Sequence, residues 1–437
     1  MATGLYLFQN DLRLHDNSAL ALATQETDHL ICVYCLPVDS ANRYPYHISK
    51  HGTYRKQFLL QSLHDLAEQL SQRGQSLHVI LDHPLNVIPE LISQYNVSMI
   101  YTSEQAGVYE QRNWHTLKGR YPYITFRSIA THTLFDKIEL PFNVNEALPT
   151  TFSQFRQQVE SLDIRSPITT IAKLPSPPGR LKAFDVVSPM INPKLLADFE
   201  GGETAALKHL EGYFASRAPC TYKLTRDELD GWENSTKFSP WLALGCLSAN
   251  KLIKHLSQFE NNIECNESTQ WIKSELLWRE YFQWYAHFHG TRLYTFSGVS
   301  KKSPHTAFYP ERFRRWSEGN TPYPIVNALM NQLRQTGYIS NRGRQIAASC
   351  LVNELSLDWR YGAAFFEEHL IDYDTASNWG NWQYIAGVGA AANENRHFCL
   401  TKQTERYDPD GKFIRKWEGN KHDGSIDSVD AADWPIY

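Results

Sequence analysis

The sequence predicts two unlike parts: an α/β N-terminal domain on a doubly wound, five-stranded parallel sheet, and an all-helical C-terminal domain. Three observations predict this. Short apolar runs alternate with helical patterns over residues 1–130, six prolines interrupt the chain between residues 161 and 195, and helical periodicity dominates from residue 196. At 437 residues the chain also exceeds the length over which one hydrophobic core keeps growing. We therefore expect an α/β domain at 1–130, a connector at 131–195 and a helical domain at 196–437.

Five apolar runs predict the strands of the N-terminal sheet. They are GLYLFQ (4–9), LICVYCL (30–36), SLHVIL (76–81), SMIYTS (98–103) and YITFRS (123–128). Between the second and third runs, YRKQFLLQSLHDLAEQLSQRG keeps its leucines on one helical face, and Gly74 supplies the stop. The first run is followed by QNDLRLHDNSAL instead of GxGxxG, which disfavours a conventional dinucleotide site.

Composition and charge narrow the classes of function. A net charge of −4 gives no global basic field, so nucleic-acid binding would need a local patch. Seven scattered cysteines are typical of reduced thiols, and Cys32 and Cys35 fall within an apolar strand run despite their CxxC spacing. No signal segment or membrane span of roughly 20 apolar residues is present. We expect a cytoplasmic monomer without a metal site or a membrane partner.

A hydroxyl-rich segment precedes one helix of the C-terminal half. Ser235, Thr236 and Ser239 come before a helix whose first turn contains Pro240. Hydroxyls and free backbone N–H groups at a helix start can bind a phosphate group. An ordinary helix N-cap explains the same pattern, so both interpretations remain open at this point.

The helix WIKSELLWREYFQWYAHF (271–288) presents rings and one acid on a single face. Trp271, Glu275, Trp278 and Phe282 are spaced i, i+4, i+7 and i+11. Such a face is either core with a buried polar pair or the floor of a cavity that stacks flat heterocycles. Arg279 lies beside it and can make a forked contact with phosphate or carboxylate.

Two further stretches concentrate polar side chains. In TGYISNRGRQIAAS (336–349), a polar and basic start precedes an apolar helix, and two arginines two positions apart point in different directions. The stretch IDYDTASNWGNWQY (371–384) combines two carboxylates, the amide of Asn378 and four aromatic rings. Acids, an amide and oxidisable rings at one bend are an unusual combination that requires a chemical explanation.

These motifs together resemble the photolyase/cryptochrome family. TGYISNRGRQIAAS, LDWR and IDYDTASNWGNWQYIAGVG are similar to its flavin-binding core, and ELLWRE, STKFSPWLALGCLS, FEGGETAALKHL and QNDLRLHDN agree with it in order. NRGRQ, the DYD…SN-x-GNW-x-Y pattern and KQTERYDPDGKFIRKW resemble the DASH-type cryptochromes. The similarity spans nearly the whole chain.

The resemblance implies FAD in the helical domain. The positions that match its pyrophosphate contacts are Tyr222, Ser235, Thr236, Lys237, Phe238 and Ser239. Those expected around the flavin ring and the ribityl chain are Arg279, Asn341, Arg344, Asp372, Asp374 and Asn378. The Asn378 amide would face the flavin N5 position, where it can hydrogen-bond several redox states.

The activity implied is blue-light-driven repair of cyclobutane pyrimidine dimers by electron transfer from excited reduced FAD. Glu275 would hydrogen-bond the lesion and Trp278 would stack on it. Tyr384 and Gln345 occupy positions where double-strand photolyases have a second Trp and a Met, so the wall is smaller and more polar. We therefore expect a preference for single-stranded DNA, in which little pairing energy must be broken. Candidate phosphate contacts are Arg226, Arg342, Arg312, Arg314 and Arg315, the last three of which fit a solvated surface equally well.

The resemblance also implies an electron relay and an antenna pigment. Trp382 and Trp359 match the inner members of the family's tryptophan chain, and Tyr309 or Trp316 would be the terminal donor. A 5,10-methenyltetrahydrofolate antenna would lie between the domains. For it, Glu104 and Glu110 are possible contacts, although a solvated helix face explains them as well.

Two alternative functions remain at this stage. A blue-light photoreceptor would use the same flavin photoreduction for signalling without significant repair. About twenty residues follow Trp417, which favours repair because sensory cryptochromes often have long C-terminal extensions. Nucleic-acid binding without chemistry is the other alternative, and Glu275 with Trp278 argues against it.

Overall fold

The computed structural model of the chain describes residues 1–36, 51–179, 198–390 and 397–423. Its N-terminal part contains a parallel sheet with strand order β3-β2-β1-β4-β5. The strands are β1 (Thr3–Phe8), β2 (His29–Cys35), β3 (Leu77–Ile80), β4 (Val97–Ser103) and β5 (Thr125–Ile129). The predicted fold class is confirmed, and each predicted strand lies within about two residues of the observed one.

Helices cover both faces of this sheet. They are α1 (Ser18–Glu26), α2 (Thr53–Ser71), α3 (Pro84–Tyr95) and α4 (Val108–Arg120). Successive side chains of β1 point to opposite faces, so Tyr6 and Phe8 join one buried core while Leu5 and Leu7 join another. The order of the strands reverses between β1 and β4. A crevice for a ligand is expected outside the carboxyl ends of these two strands.

Helices dominate the remainder of the described chain. They are α5 (Phe152–Val159), α6 (Glu203–Ala215), α7 (Ala218–Thr225), α8 (Ser239–Ala243), α9 (Ala249–Asn262), α10 (Glu267–His289), α11 (Pro310–Glu318), α12 (Pro324–Thr336), α13 (Asn341–Ser349), α14 (Trp359–His369), α15 (Thr375–Ile385), α16 (Leu400–Tyr407) and α17 (Lys412–Lys416). The longest, α10, begins at a capping box in which the Asn266 side chain accepts from the backbone N–H groups of Ser268 and Thr269. Short 3₁₀ turns occur at Trp232–Asn234 and Gly290–Tyr294, and a π turn at Cys350–Glu354 follows α13.

The predicted connector contributes to the core of the helical part. Within it, Phe155 of α5 is fully buried and packs against Tyr281 of α10, with ring centroids 5.4 Å apart. Residues 161–179 contain no helix or strand, as the prolines predict. The rest of the connector, 180–195, and most of the tail after Trp417, from residue 424, lie outside the described residues.

The QNDLRLHDN segment after β1 joins the sheet to the helices. Arg13 is fully buried and donates to the carbonyl oxygens of Gly245 and Thr131, each at 2.8 Å. Gly245 has a φ of 66°, and its Cα lies against the backbone of Asn10, so only glycine suits this position. These contacts hold the two parts of the molecule in one arrangement.

A buried acid, Glu280, fixes α10 to the connector. Its carboxylate accepts from the backbone N–H groups of Leu134 at 2.7 Å and Phe135 at 3.3 Å, and from the indole N–H of Trp284 at 2.7 Å. Burial raises the pKa of Glu280 to about 7, despite the opposing effect of these donors.

The raised pKa of Glu280 makes stability depend on pH. Between about pH 4.5 and 7 the folded protein holds a proton that the unfolded chain has released. We expect this group to lower the free energy of unfolding as pH rises through that window, by on the order of 1 kcal/mol per pH unit. Glu280→Gln should remove this contribution in urea titrations between pH 5 and 8. The exposed Glu90→Gln is the control, and equal slopes in both variants would contradict the assignment.

Candidate functional site

A large cavity lies among the helices of the C-terminal part. Its volume of about 470 Å³ falls within the range typical of cofactor sites. Every residue predicted to contact FAD lines it: Tyr222, Ser235, Thr236, Lys237, Phe238, Ser239, Arg279, Asn341, Arg344, Asp372, Asp374 and Asn378. Of those predicted to contact the lesion, Glu275, Trp278, Gln345 and Tyr384 line the same cavity.

One face of α10 forms part of the cavity wall. Trp271, Glu275, Trp278 and Phe282 all line the cavity, so the predicted single face is confirmed. The Glu275 carboxylate pairs with Arg226 at 2.7 Å and accepts from the indole N–H of Trp271 at 2.9 Å. Burial raises the pKa of Glu275, and Arg226 opposes this shift.

The ring of Trp278 is held by other aromatic rings. Phe152 of α5 stacks on it with centroids 3.8 Å apart and planes at 14°, and Phe282 stacks at 5.7 Å. Tyr384 meets it edge-on at 6.3 Å. Sequence reasoning missed Phe152, because nothing in the sequence links the connector to this position on α10. The contacts fix the plane of the indole in advance.

The segment 235–239 is a bent loop that leads into a short helix. Lys237 has a φ of 55°, which is unusual for a residue with a side chain, and its buried ammonium lies 4.9 Å from the Tyr338 ring centroid. The helix predicted here begins at Ser239 itself and is five residues long. The Ser239 hydroxyl donates to Asp372 at 2.6 Å, so this hydrogen bond links the loop to the segment that precedes α15.

Asp372 and Arg344 form a partly buried ion pair at 2.7 Å. The second oxygen of Asp372, Oδ1, is buried and has no hydrogen-bond partner in the described chain. Burial acts to lower the pKa of Arg344, but Asp372 outweighs it and raises that pKa. Arg342 points elsewhere, towards Asp227 at 3.2 Å and the amide oxygen of Gln345 at 2.9 Å, and does not line the cavity. The two arginines diverge, as their spacing predicts.

Asp374 and Asn378 lie at the start of α15. Asp374 caps this helix by accepting from the backbone N–H of Ser377 at 2.7 Å, and the amide of Gln283 donates to both of its oxygens. Sequence reasoning missed Gln283, a buried residue of α10. The Asn378 amide nitrogen donates to the Ala363 carbonyl at 3.0 Å. Its carbonyl oxygen and its second amide N–H are the polar groups that this bond leaves for a ligand.

The polar groups that line this cavity fit FAD. An unpartnered carboxylate oxygen on Asp372 can accept from a sugar hydroxyl or a ring N–H, and the cations of Lys237 and Arg344 suit phosphate and carbonyl oxygens. Arg279, expected to make a forked contact with the ligand, already donates to the carbonyl oxygens of His132 at 2.6 Å and Leu242 at 3.4 Å.

Comparisons with known proteins agree with this geometry. Residues 4–178 match the DNA photolyase model, and residues 271–423 match the FAD binding domain of DNA photolyase. The Cryptochrome DASH of Idiomarina loihiensis is 52% identical over 99% of this chain and 96% of that protein, and the one from Vibrio parahaemolyticus is 47% identical over 99% and 97%. The chain belongs to the photolyase/cryptochrome family, within its DASH type. The match to the FAD binding domain supports FAD as the ligand of the cavity.

Solved structures of this family share the whole fold. The crystal structure of Synechocystis sp. PCC6803 cryptochrome matches with a TM-score of 0.90 at 37% identity, over 95% of this chain and 88% of that one. A class III photolyase from Agrobacterium tumefaciens matches with a TM-score of 0.81 at 27% identity, over 95% and 86%. Both cryptochromes and photolyases therefore resemble this chain from end to end.

The tryptophans expected to form the family's relay divide into two groups. Trp382 lines the cavity and meets Trp316 edge-on at 6.3 Å, and its ring lies so close to Gly362 that a Cβ there would collide with it. Trp359 is fully buried, and its ring centroid lies 5.7 Å from that of Trp379. Trp316 is fully buried, so it has no surface at which to meet a dissolved reductant.

The other candidate for the terminal donor, Tyr309, is half-buried, and the guanidinium of Arg312 lies 4.7 Å from its ring centroid. The neighbouring arginines of α11 have partners on their own helix. Arg314 pairs with Glu311 and Glu318, and Arg315 pairs with Glu311 at 3.0 Å. Arg314 is exposed, which fits the solvated-surface interpretation, whereas Arg315 is buried and Arg312 donates to the Leu355 carbonyl at 3.1 Å.

A second cavity, of about 400 Å³, lies at the carboxyl ends of β1 and β4. Glu104 and Glu110 both line it, with Gln9 after β1 and with Trp284 and His287 of α10. This is the crevice expected where the order of the strands reverses. The same helix, α10, thus lines both cavities.

The described part of the chain lacks a group of metal ligands and a helix that could span a membrane. In residues 1–36, 51–179, 198–390 and 397–423, no three His, Cys, Asp or Glu side chains group as metal ligands. No helix in that part of the chain is long and apolar enough to cross a membrane.

Proposed function

We propose that this protein uses blue light to repair cyclobutane pyrimidine dimers, preferentially in single-stranded DNA, with FAD in the first cavity. The observation that supports this most is that one cavity contains both sets of expected contacts. Glu275 and Trp278, the expected lesion contacts, line the same cavity as every expected FAD contact. When bound and reduced, FAD supplies the electron that opens the cyclobutane ring and receives it back afterwards.

The chain's role towards FAD is to bind and orient it. Lys237 and the hydroxyls of the 235–239 loop would hold the pyrophosphate, and the Arg344–Asp372 pair would offer a cation and a free acceptor to the flavin. The carbonyl oxygen of Asn378 is an acceptor, which suits the hydrogen on N5 of a reduced flavin.

The chain's role towards the lesion is to stack on it and to accept its N–H groups. Trp278, held in its plane by Phe152, offers a rigid aromatic surface to a pyrimidine ring. Glu275 is an acceptor for the imide N–H of a pyrimidine, and Arg226 favours the charged form of that carboxylate. Arg226 and Arg342 are the candidate contacts for DNA phosphates.

The preference for single strands rests on two other residues of the cavity lining, Tyr384 and Gln345. Tyr384 offers a smaller ring than tryptophan, and the Gln345 amide is polar and engaged by Arg342. Such a wall stabilises an extruded dimer less, whereas extrusion from a duplex costs a few kcal/mol of pairing and stacking. A dimer in a single strand avoids most of this cost.

Two further roles complete the proposal. Trp382, at the cavity wall, and Trp359 would be the inner members of an electron relay to the flavin, with Tyr309 as its terminal donor. The second cavity holds 5,10-methenyltetrahydrofolate as an antenna. Its acidic side chains, Glu104 and Glu110, suit the amino donors of a pterin, and the indole of Trp284 suits its flat ring.

One paired experiment tests the proposal. The absorption spectrum of the purified protein should contain flavin bands and a near-ultraviolet antenna band. The reduced protein, illuminated with dimer-bearing oligonucleotides, should repair single strands much faster than duplexes. Equal rates would contradict the strand preference. Flavin bands without repair of either substrate would instead support the photoreceptor, and a protein that stays colourless after addition of FAD would contradict both.

A further inference from the structure

Trp271 is an exposed aromatic residue at the rim of the first cavity. Its side chain lines that cavity, yet 37% of the residue is accessible to solvent. Two cations lie over its ring: the ammonium of Lys223, in α7, is 5.3 Å from the ring centroid, and the guanidinium of Arg226, which follows α7, is 5.1 Å from it. An indole between a cavity and solvent forgoes part of the hydrophobic stabilisation that full burial would provide.

The position of this ring is fixed before any ligand arrives. Its indole N–H donates to Glu275, and Glu275 in turn pairs with Arg226 at 2.7 Å. Lys223 is held by Glu267, also at 2.7 Å. A flat ring that is already ordered loses little conformational entropy on stacking, so it can bind a ligand more tightly than a mobile surface side chain could.

The chemistry of this rim suits one kind of ligand. Nucleobases stack on tryptophan regardless of their sequence, and neighbouring cations attract the phosphates that link them. Trp271 precedes Glu275 and Trp278 on the same face of α10, so a strand whose dimer occupies the cavity has its next base near this ring.

We propose, resting on the function proposed above, that Trp271 is a stacking subsite for the unpaired base adjacent to the lesion. Lys223 and Arg226 attract the phosphate beside that base. In a duplex this base is paired and stacked on its own neighbours, so it is not available to the ring. The subsite therefore adds a second source of preference for single strands, independent of the wall formed by Tyr384 and Gln345.

The test is a double-mutant cycle between the protein and the DNA. Trp271→Gln removes the ring but keeps an N–H donor within reach of Glu275. Dissociation constants are measured in the dark, with FAD bound, for single strands whose dimer is flanked by normal nucleotides or by abasic residues. We expect the wild-type protein to bind the abasic strand about tenfold more weakly. Trp271→Gln should bind both strands with equal affinity.

The control removes an exposed ring from another part of the molecule. Tyr123→Gln alters a residue that is 75% exposed between α4 and β5, and it should keep the wild-type tenfold ratio. Retention of that ratio by Trp271→Gln, or a wild-type ratio of one, would overturn the subsite while leaving dimer binding intact. Failure of the wild-type protein to prefer dimer-bearing over undamaged strands would instead overturn the proposed function, and the subsite with it.

Discussion

Replacing Asp372 with alanine is expected to abolish FAD binding and to lower the free energy of unfolding by about 2–3 kcal/mol. Removing one member of a fully buried ion pair typically costs roughly 3–5 kcal/mol, because the remaining charge loses its partner. The expected value is smaller because 25% of the Arg344 side chain remains in contact with solvent. The Ser239 hydroxyl loses its acceptor in the same variant.

Two measurements check this expectation: the flavin absorbance of the purified variant, and its urea unfolding compared with wild-type protein stripped of FAD. The comparison with the stripped protein separates the lost ion pair from the lost cofactor. Asp410→Ala is the control, since Asp410 pairs with Lys412 in a solvent-exposed position and should change neither quantity. A yellow Asp372→Ala protein of wild-type stability would contradict the role given to this carboxylate.

Glu275→Ala is expected to lower the apparent second-order rate constant for repair of single-stranded dimers by about 10- to 100-fold. Hydrogen bonds to a charged group contribute roughly 1.5–3 kcal/mol, and each 1.4 kcal/mol corresponds to about a factor of ten. Glu275→Gln keeps an acceptor without the charge and should fall between the wild type and the alanine variant. Flavin absorbance should remain unchanged in both variants.

The same carboxylate predicts a pH dependence of repair. Burial raises the pKa of Glu275, so this side chain becomes protonated at a higher pH than an exposed glutamate. Repair that needs the ionised acceptor is expected to decrease as pH falls through that raised pKa, and to recover above it. Glu275→Gln should not show this decrease. A wild-type profile identical to that of Glu275→Gln would exclude ionisation of Glu275 as its cause.

The features that could be predicted from sequence are those with a local signature. The strands follow from short apolar runs, and the shared face of Trp271, Glu275 and Trp278 follows from helical spacing alone. The ion pairs of α11 could also have been predicted from the sequence, because Glu311, Arg314 and Glu318 are spaced three and four positions apart.

The features that escaped prediction depend on contacts between distant segments. Phe152, which lies in the connector, stacks on Trp278 of α10. Gln283 of α10 donates to Asp374 at the start of α15. Neither contact has a fixed spacing in the sequence, since each depends on how whole elements pack together. The family resemblance named the acids around the flavin, but it did not reveal which of their oxygens other residues already satisfy.

Because α10 lines both cavities, this one helix sets the distance and the angle between them. Trp278 faces one cavity and Trp284 the other, and a helix rises about 1.5 Å per residue. Inserting a single residue between them would turn one half of the helix by about 100° relative to the other. Such an insertion would misalign the lining of at least one cavity, so the proposed antenna and FAD sites cannot change their relative position without damage to one of them.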